Sequence, residues 1–419
     1  MTAEIAILNR YAIALAADSA VTVGDKRVYK TSTKLFSLGP GNDIAVMIYG
    51  SDQFCGFPWD AIIKTFHRSL GKTEFGHVSD FADALIEYLK CDEFKPNEEA
   101  EILNLSYVVD HLEKLAEKTS SSSNRTQFLA AIDNALTEAE AQLEKADVIN
   151  GICSERDFCA VYDHIISSFS ADIFGRKLSK KRCKRLTRYV HGVLSRKARS
   201  PYSTGVVVAG FGKKEYFPAV VHLIVDGKGD FGFRQWTAGN GHDANQPDEA
   251  QAAIIPFAQS DIFRMFMEGI SPDQITFIRE TLSHVLNAKS DELVKAHVPN
   301  GKIATVERAK QARENKAALT KFMEEFALYR EKNVVDRILE VVSHLPKEDL
   351  ADMAIALVEL TSLRRKIDST LETVGGPVDV AVISKGDGLV WIKRKTYFDP
   401  SLNKEFLFRK FGGNFGDIS

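Results

Sequence analysis

The sequence lacks the patterns that would identify a metal site, a nucleotide cofactor or a membrane span. Its five cysteines form no CxxC pair and no His-rich spacing, which argues against zinc and favours unpaired thiols in a reducing compartment. No P-loop pattern occurs, and the one GxGxxG stretch, 227–232, lies between predicted strands and does not precede a helix, so we expect no nucleotide to bind. No stretch approaches the ~20 apolar residues that cross a bilayer. We therefore predict a cytoplasmic protein that uses neither a cofactor nor a metal.

An excess of charge of one sign is also missing. The 419 residues include 54 lysines and arginines and 57 aspartates and glutamates, and the net charge of −3 indicates neither a nucleic-acid partner nor an acidic one. The exception is the segment 176–199, which is rich in lysine and arginine. Such a segment can bind nucleic acid, but this one has few aromatic residues. We favour a solvated helix face whose charge is offset by the acidic stretch 92–118.

The order of the predicted elements favours antiparallel sheets. Apolar residues make up 44% of the chain, which is enough for a real core. Short apolar runs between turn residues predict strands within 5–49, 205–236 and 378–395, and helical periodicity is found between them. Single strands do not alternate with helices over long stretches, which disfavours a doubly wound parallel sheet. We therefore predict an α+β fold of two antiparallel sheets with helices outside them.

Two long, charged, helical stretches divide the predicted core. They lie at 95–200 and 270–343, and we interpret both as insertions. The core is then predicted to consist of three parts, 2–94, 201–269 and 344–419, of which the last includes a C-terminal tail.

A predicted hairpin brings a carboxylate back to the start of the chain. The apolar runs 5–8 and 12–17 flank a tight turn of three polar or aromatic residues. If this turn centres on Arg10, Asp18 lies opposite Thr2 on the partner strand.

These residue types can support nucleophilic catalysis. If Met1 is removed, Thr2 becomes the first residue, and an α-amine, with an unperturbed pKa of ~7.7–8.0, is a suitable base for the hydroxyl. Lys34, which opens a later predicted strand, can favour the neutral amine, and Asp18 can orient that lysine. The N–H of Gly50 can stabilise an oxyanion. The spacing alone does not establish this site, because many proteins begin with Met-Thr.

The same segment resembles a known family signature. The stretch Ala16–Gly24, followed by Thr33-Lys34-Leu35, resembles the signature of proteasome β subunits and their bacterial relatives, in which a threonine opens the mature chain. Thr2, Asp18 and Lys34 fall at the family's mutual spacings with no gap. The segment 375–383 resembles the family's closing strand. The resemblance covers roughly residues 2–92, 203–268 and 345–396.

The resemblance implies both a fold and a site. The fold is the N-terminal nucleophile hydrolase fold, a four-layer αββα sandwich of two antiparallel sheets, here with helical insertions. The reaction is amide-bond hydrolysis through an acyl-enzyme ester on the threonine. Many relatives form rings, so we expect a homo-oligomer. The implied catalytic residues are Thr2, Asp18, Lys34, Gly50, and either Gln259, which the spacing favours, or Ser260. The residues implied to contact substrate are Thr22, Ile48 and Asp52.

Several supporting positions differ from the family pattern. Ala20 stands where the family has an arginine, and Leu371 and Val374 stand where it has an aspartate and a serine. Loss of such supporting groups predicts weakened or specialised catalysis. Three hypotheses follow: a proteasome-like peptidase, which we favour, an acylase of the same fold that cuts small amides, and a non-catalytic assembly subunit. The expected partner is a peptide or small amide substrate, and the sequence does not indicate a separate ATPase.

Overall fold

The structure, a computed structural model, describes residues 3–23, 27–29, 32–38, 43–71, 73–119, 124–258, 260–298, 301–368, 375–396 and 398–405. Helices and antiparallel strands form a mixed α+β fold, which confirms the predicted class. Contacts between residues divide the chain into two units. Unit 1 consists of Met1–Ser32, Pro247–Val382 and Val390–Ser419, and unit 2 consists of Thr33–Gln246 and Ile383–Leu389.

The strands found in the described ranges are, in chain order, β1 (Glu4–Leu8), β2 (Ala12–Ala17), β3 (Val21–Val23), β4 (Arg27–Tyr29), β5 (Leu35–Ser37), β6 (Ile44–Gly50), β7 (Gln53–Phe54), β8 (Phe57–Pro58), β9 (Thr204–Gly210), β10 (Ala219–Gly229), β11 (Gly232–Thr237), β12 (His242–Asp243), β13 (Ala253–Ala258), β14 (Asp379–Ser384) and β15 (Gly388–Lys393).

The α-helices are α1 (Trp59–Leu70), α2 (Val78–Lys90), α3 (Glu98–Glu117), α4 (Arg125–Leu143), α5 (Glu155–Ile173), α6 (Lys180–Leu194), α7 (Ser260–Glu268), α8 (Pro272–His297), α9 (Lys302–Arg330), α10 (Asp336–Val342) and α11 (Lys347–Asp368). A π-helical turn, Glu331–Val335, joins α9 to α10. None of the described helices combines the length and the apolar character that a membrane span requires.

Unit 1 is built on a sheet with the strand order β13-β1-β2-β14-β15. One face of this sheet packs against α7, α10 and α11. On β2 that face consists of Ala12, Ala14 and Ala16, and α11 places Ala351 and Ala354 in the same cluster. Small side chains on both surfaces let a helix lie close to a sheet. Every residue of β1 and β2 is buried, so the opposite face is covered as well. Burial on both faces explains why these strands read as continuous apolar runs.

The helices α8 and α9 of unit 1 pack against each other as an antiparallel pair. Within their described residues only Val294 and Ala304 are buried. The amide of Asn315 donates hydrogen bonds from α9 to Asn287 and Ser290 of α8, at 3.0 and 2.9 Å. The pair is therefore held partly by polar contacts and has little apolar core of its own.

Unit 2 is built on an antiparallel sheet with the order β11-β10-β9-β6-β5, and β12 pairs with β10. One face carries the side chains of Val46, Ile48, Val206 and Val208, which pack against α1 and α2. Trp59, the first residue of α1, is fully buried there. The neighbouring residues Ala45, Met47, Val207 and Ala209 point to the other face and are buried too.

The helices α3–α6 of unit 2 form a block with its own apolar cluster, and α6 contains most of the basic segment. Three arginines of α6 pair with carboxylates of α4 and α5, in the pairs Arg182–Asp133 at 2.7 Å, Arg185–Glu140 at 2.6 Å and Arg188–Glu155 at 3.1 Å. Their partners therefore lie within 125–173, and the prediction of the acidic stretch 92–118 as the offsetting charge is wrong for them. The pairing of these arginines depends on how α6 packs against α4 and α5, which charge composition alone does not indicate.

A buried ion pair joins this helical block to the sheet of unit 2. Arg234 of β11 and Asp226 of β10 are 1% and 5% exposed and lie 2.8 Å apart. Arg234 also donates to the carbonyl oxygens of Val193 and Leu194, which end α6. The carboxylate of Asp226 accepts from the backbone N–H of Ser200 at 3.0 Å. The pair therefore fixes the point at which the chain returns from the helices to β9.

Candidate active site

The N-terminal hairpin forms as predicted, but its register is shifted by one residue. Glu4 pairs with Ala17, so Asp18 lies opposite Ala3 and the prediction that it faces Thr2 is wrong. The physical reason is Asn9, whose side-chain oxygen accepts the N–H groups of the two residues that follow Arg10, at 2.9 and 3.3 Å. Asn9 thereby centres the turn between Arg10 and Tyr11.

Asp18 joins two distant parts of unit 1. Its Oδ1 accepts the N–H of Ala3 at 3.1 Å, and its own N–H donates to the Ala3 carbonyl oxygen at 3.0 Å. Its Oδ2 accepts the N–H of Gly375 at 2.9 Å. The side chain is 1% exposed. Thr2 lies outside the described residues, but Ala3 is bonded to it, so this carboxylate holds the chain one residue from the predicted nucleophile.

Ser19 makes a second link to the same segment. Its hydroxyl donates to the carbonyl oxygen of Pro377 at 2.5 Å, and the residue is fully buried. Gly375 and Gly376 have φ values of +146° and +85°, which glycine adopts without strain. The two segments that resemble the family signature are thus connected by hydrogen bonds. Sequence reasoning identified both segments but not the contacts between them.

Four chain segments meet at one end of the unit 1 sheet. Strand β1 begins there, and β2 ends there at Ala17, directly before Asp18. Strand β13 also ends there, because Ala258 pairs with Glu4, the first residue of β1. The contact of Asp18 with Gly375 brings the segment before β14 to the same place. Ser260 begins α7 directly after this edge, whereas Gln259 lies outside the described residues.

Lys34 and Ile48 are neighbours in unit 2. Leu35 pairs with Met47, and the N–H of Ile48 donates to the Lys34 carbonyl oxygen at 2.9 Å, which extends the pairing by one residue. Lys34 is only 3% exposed. Lysine is almost never buried to this extent without a charged or polar partner, and this one lies directly before the first residue of β5.

Gly50 ends β6 in a conformation that favours glycine. Its φ is +90°, and a Cβ added there would collide with the carbonyl oxygen of Ser203. Gly50 pairs with Thr204, the first residue of β9, so it lies at the same end of the sheet as the Lys34–Ile48 pair. Gly50 is exposed, which leaves its surface accessible.

The remaining predicted substrate contacts lie on two separate elements. Thr22 is the middle residue of β3 and pairs with Val28 of β4. In the described part of the chain β3 pairs with no strand other than β4. An edge without a strand partner is where an extended peptide can add to a sheet. Asp52 is exposed, and its carbonyl oxygen accepts the N–H of Trp59 at 3.0 Å, which closes the loop before α1.

A polar chain behind Gly50 was not anticipated from the sequence. The Nη1 of Arg199 donates to the hydroxyl oxygen of Tyr49 at 3.0 Å, and that hydroxyl lies 2.8 Å from Nε2 of His222. Nδ1 of His222 contacts the side-chain oxygen of Asn240. With that oxygen as acceptor, Nδ1 carries the proton and Nε2 accepts from Tyr49. His222 is therefore a buried histidine with a hydrogen-bond partner at each ring nitrogen.

The electrostatics of this chain agree with a neutral imidazole. Burial lowers the pKa of His222 to about 4, and the nearby charge of Arg199 acts in the same direction, whereas the hydrogen bond to Asn240 opposes it. No local pattern distinguishes Arg199 in the sequence, because it is one of many basic residues in 176–199.

No protein-family model matches this chain, and no curated protein matches it in sequence. Within the described residues, no group of three or more histidines, cysteines, aspartates or glutamates has an arrangement that could hold a metal ion.

Proposed function

We propose that this chain is a threonine-type N-terminal nucleophile hydrolase that cleaves peptide bonds through an acyl-enzyme ester on Thr2. The observation that carries the proposal is the buried carboxylate of Asp18, which accepts the N–H groups of Ala3 and Gly375 at 3.1 and 2.9 Å. A buried carboxylate committed to the residue after the N-terminal threonine is a costly arrangement, and precise placement of a nucleophile explains it.

In the proposed reaction the Thr2 hydroxyl oxygen attacks the carbonyl carbon of the scissile amide. The free α-amine of Thr2 accepts the hydroxyl proton and returns it to the departing amine, so that an ester remains on the threonine. Water then attacks the ester carbonyl carbon, the α-amine accepts a proton from that water and passes it to the Thr2 oxygen, and the carboxylic acid leaves as the threonine hydroxyl is restored. Lys34 supplies positive charge that favours the neutral amine, and the N–H of Gly50 stabilises the oxyanion in both steps.

The fold that accompanies this proposal is the four-layer αββα sandwich. Each unit taken by itself supplies an antiparallel sheet with helices packed on one face. In each sheet the opposite face is buried as well. This is the composition expected of each half of such a sandwich.

The edge of β3 that pairs with no described strand favours a peptidase over an acylase for small amides. A peptide can add to this edge as a strand, with its main chain hydrogen-bonded to the backbone around Thr22. A small amide offers no such main chain. We also propose that the chain forms a homo-oligomer, which size-exclusion chromatography with light scattering can measure.

The proposal is tested by the intact mass of the full-length protein before and after a threonine-directed electrophile. We expect the untreated protein to lack one methionine and the treated protein to gain one inhibitor equivalent. Thr2→Ala should gain none. Thr137→Ala is the matched control, because Thr137 is an exposed threonine in the helical block and its loss should leave the adduct intact.

Two outcomes would redirect the interpretation. Retention of Met1, or the absence of an adduct on a free Thr2, would contradict catalysis and support the assembly subunit. Formation of the adduct together with hydrolysis of small amides but not of peptides would support the acylase instead.

A further inference from the structure

We propose that Arg199 is a specificity-determining residue that binds a carboxylate of the substrate beside Gly50, so that the enzyme prefers anionic substrates. The inference rests on the proposed function, since it takes Gly50 to lie at the reacting carbonyl. It adds a substrate class that neither the catalytic residues nor the fold implies.

The guanidinium of Arg199 lies directly beside Gly50. Its Nη2 is 3.6 Å from the position that a Cβ on Gly50 would occupy. Its Nε donates to the hydroxyl of Ser203 at 2.8 Å, and its Nη1 donates to Tyr49. Among the described residues Nη2 has no hydrogen-bond partner, so donors remain for a ligand at Gly50.

The guanidinium is held in place before any ligand binds. Its carbon lies 4.7 Å from the centre of the Tyr49 ring, and the Tyr49 hydroxyl is fixed by His222. Because the Tyr49 hydroxyl donates its hydrogen bond to the neutral imidazole, the lone pairs of the phenol oxygen remain available to accept from Arg199. The hydroxyl of Ser203 donates in turn to the carbonyl oxygen of Ser200 at 2.9 Å. Ordering an arginine side chain on binding costs conformational entropy. Here the contacts with Tyr49 and Ser203 already order Arg199 before the ligand binds, which reduces that cost.

Arg199 also differs from the arginines of α6 in charge pairing. Arg182, Arg185 and Arg188 each face a carboxylate within 3.1 Å. Over the described ranges no carboxylate lies within ion-pair distance of Arg199, and this includes Asp52, two residues beyond Gly50. A cation that is exposed, oriented and without a counterion suits an anionic ligand. The planar fork of a guanidinium matches a carboxylate best.

The carboxylate can come from an acidic side chain or from a free C-terminus, and three peptides separate these sources. One has glutamate at the variable position and an amidated C-terminus, one has glutamine and a free C-terminus, and one has glutamine and an amidated C-terminus. Liquid chromatography with mass spectrometry gives kcat/KM for each on the full chain. For at least one carboxylate peptide we expect kcat/KM to be about tenfold higher than for the neutral peptide. A factor of this size corresponds to the free energy of one charge-assisted hydrogen bond.

The variants at Arg199 assign this preference. Arg199→Met should bring the ratio of the rates close to one, and Arg199→Lys should retain part of it, because the charge remains without the fork. Arg188→Met removes the same charge from the helical block and should leave the ratio unchanged. Equal cleavage of all three peptides by the wild type, or a preference that survives Arg199→Met, would overturn the proposal.

A binding measurement separates this proposal from the proposed function. Thermophoresis of the same three peptides, carrying a fluorescent label, with the Thr2→Ala variant requires no turnover. Selective binding of a carboxylate peptide that Arg199→Met abolishes would support the Arg199 site even if no peptide were cleaved. Binding without preference would overturn it even if Thr2 proved to be the nucleophile.

Discussion

Replacing Asp18 with asparagine tests whether this carboxylate holds the start of the chain in place. The change preserves the shape of the side chain but leaves one carbonyl oxygen for two N–H donors, those of Ala3 and Gly375. One buried N–H then faces an amide NH₂ group. Loss of a hydrogen bond to a charged group, with a buried donor left unsatisfied, costs about 2–4 kcal/mol.

Hydrogen exchange measures this loss of stability locally, in β1 and β2. In the peptides that cover β1 and β2, exchange through local opening should be about 30- to 700-fold faster in Asp18→Asn, since each 1.4 kcal/mol is a factor of ten. The rate of adduct formation at Thr2 should fall as well. Both effects are expected because the start of the chain is then held less firmly by residue 18.

Glu215→Gln is a matched control for this substitution. Glu215 is also a buried carboxylate that accepts two backbone N–H groups, those of Val78 at 3.2 Å and Gly212 at 2.6 Å, but it lies in unit 2. Its substitution should accelerate exchange around 76–80 and leave adduct formation unchanged. Unchanged exchange of β1 and β2 in Asp18→Asn, or equal loss of adduct in both variants, would refute the reasoning.

Three further predictions follow from the buried groups. Arg234→Met should lower the free energy of unfolding by about 3–5 kcal/mol because it leaves the carboxylate of Asp226 buried without its cationic partner. The melting temperature should recover when Asp226→Leu is added. The pKa of His222 is about 4 in the folded state and ~6.5 in the unfolded state. Its contribution to the free energy of unfolding is therefore complete above pH ~6.5 and decreases by about 3 kcal/mol in all as the pH falls towards 4. Melting temperatures of the wild type and of His222→Gln, measured across this pH range, should show the difference. Gly50→Ala should cost about 1–3 kcal/mol by denaturant unfolding and should abolish the adduct, because its φ of +90° and the Ser203 carbonyl leave no room for a Cβ.

The strands of the core were predictable because their apolar runs are continuous. Ile44–Gly50 is buried at all but its last residue, and the helix Val78–Lys90 buries a regular apolar stripe. Strand Ala253–Ala258 was missed because it contains Pro256, which has no N–H for a sheet. It is tolerated because β13 is the edge strand, and the pairing shifts between Glu4 and Ile5.

The site was only partly predictable, for a different reason. The positions of Asp18 and Gly50 follow from strand ends, which a sequence pattern can locate. The register of the hairpin did not follow, because the side chain of Asn9 sets the turn through its own hydrogen bonds. Arg199 could not be singled out, since its partners Tyr49 and Ser203 are brought to it by the pairing of β6 with β9.

The most direct test of the central claim is to locate the covalent adduct by tandem mass spectrometry of the digested, inhibitor-treated protein. We expect an N-terminal peptide that begins at Thr2, lacks Met1 and carries the inhibitor on that threonine, together with no modified peptide from the exposed Cys91. An adduct confined to a cysteine, or an unmodified N-terminal peptide that still begins with Met1, would contradict it.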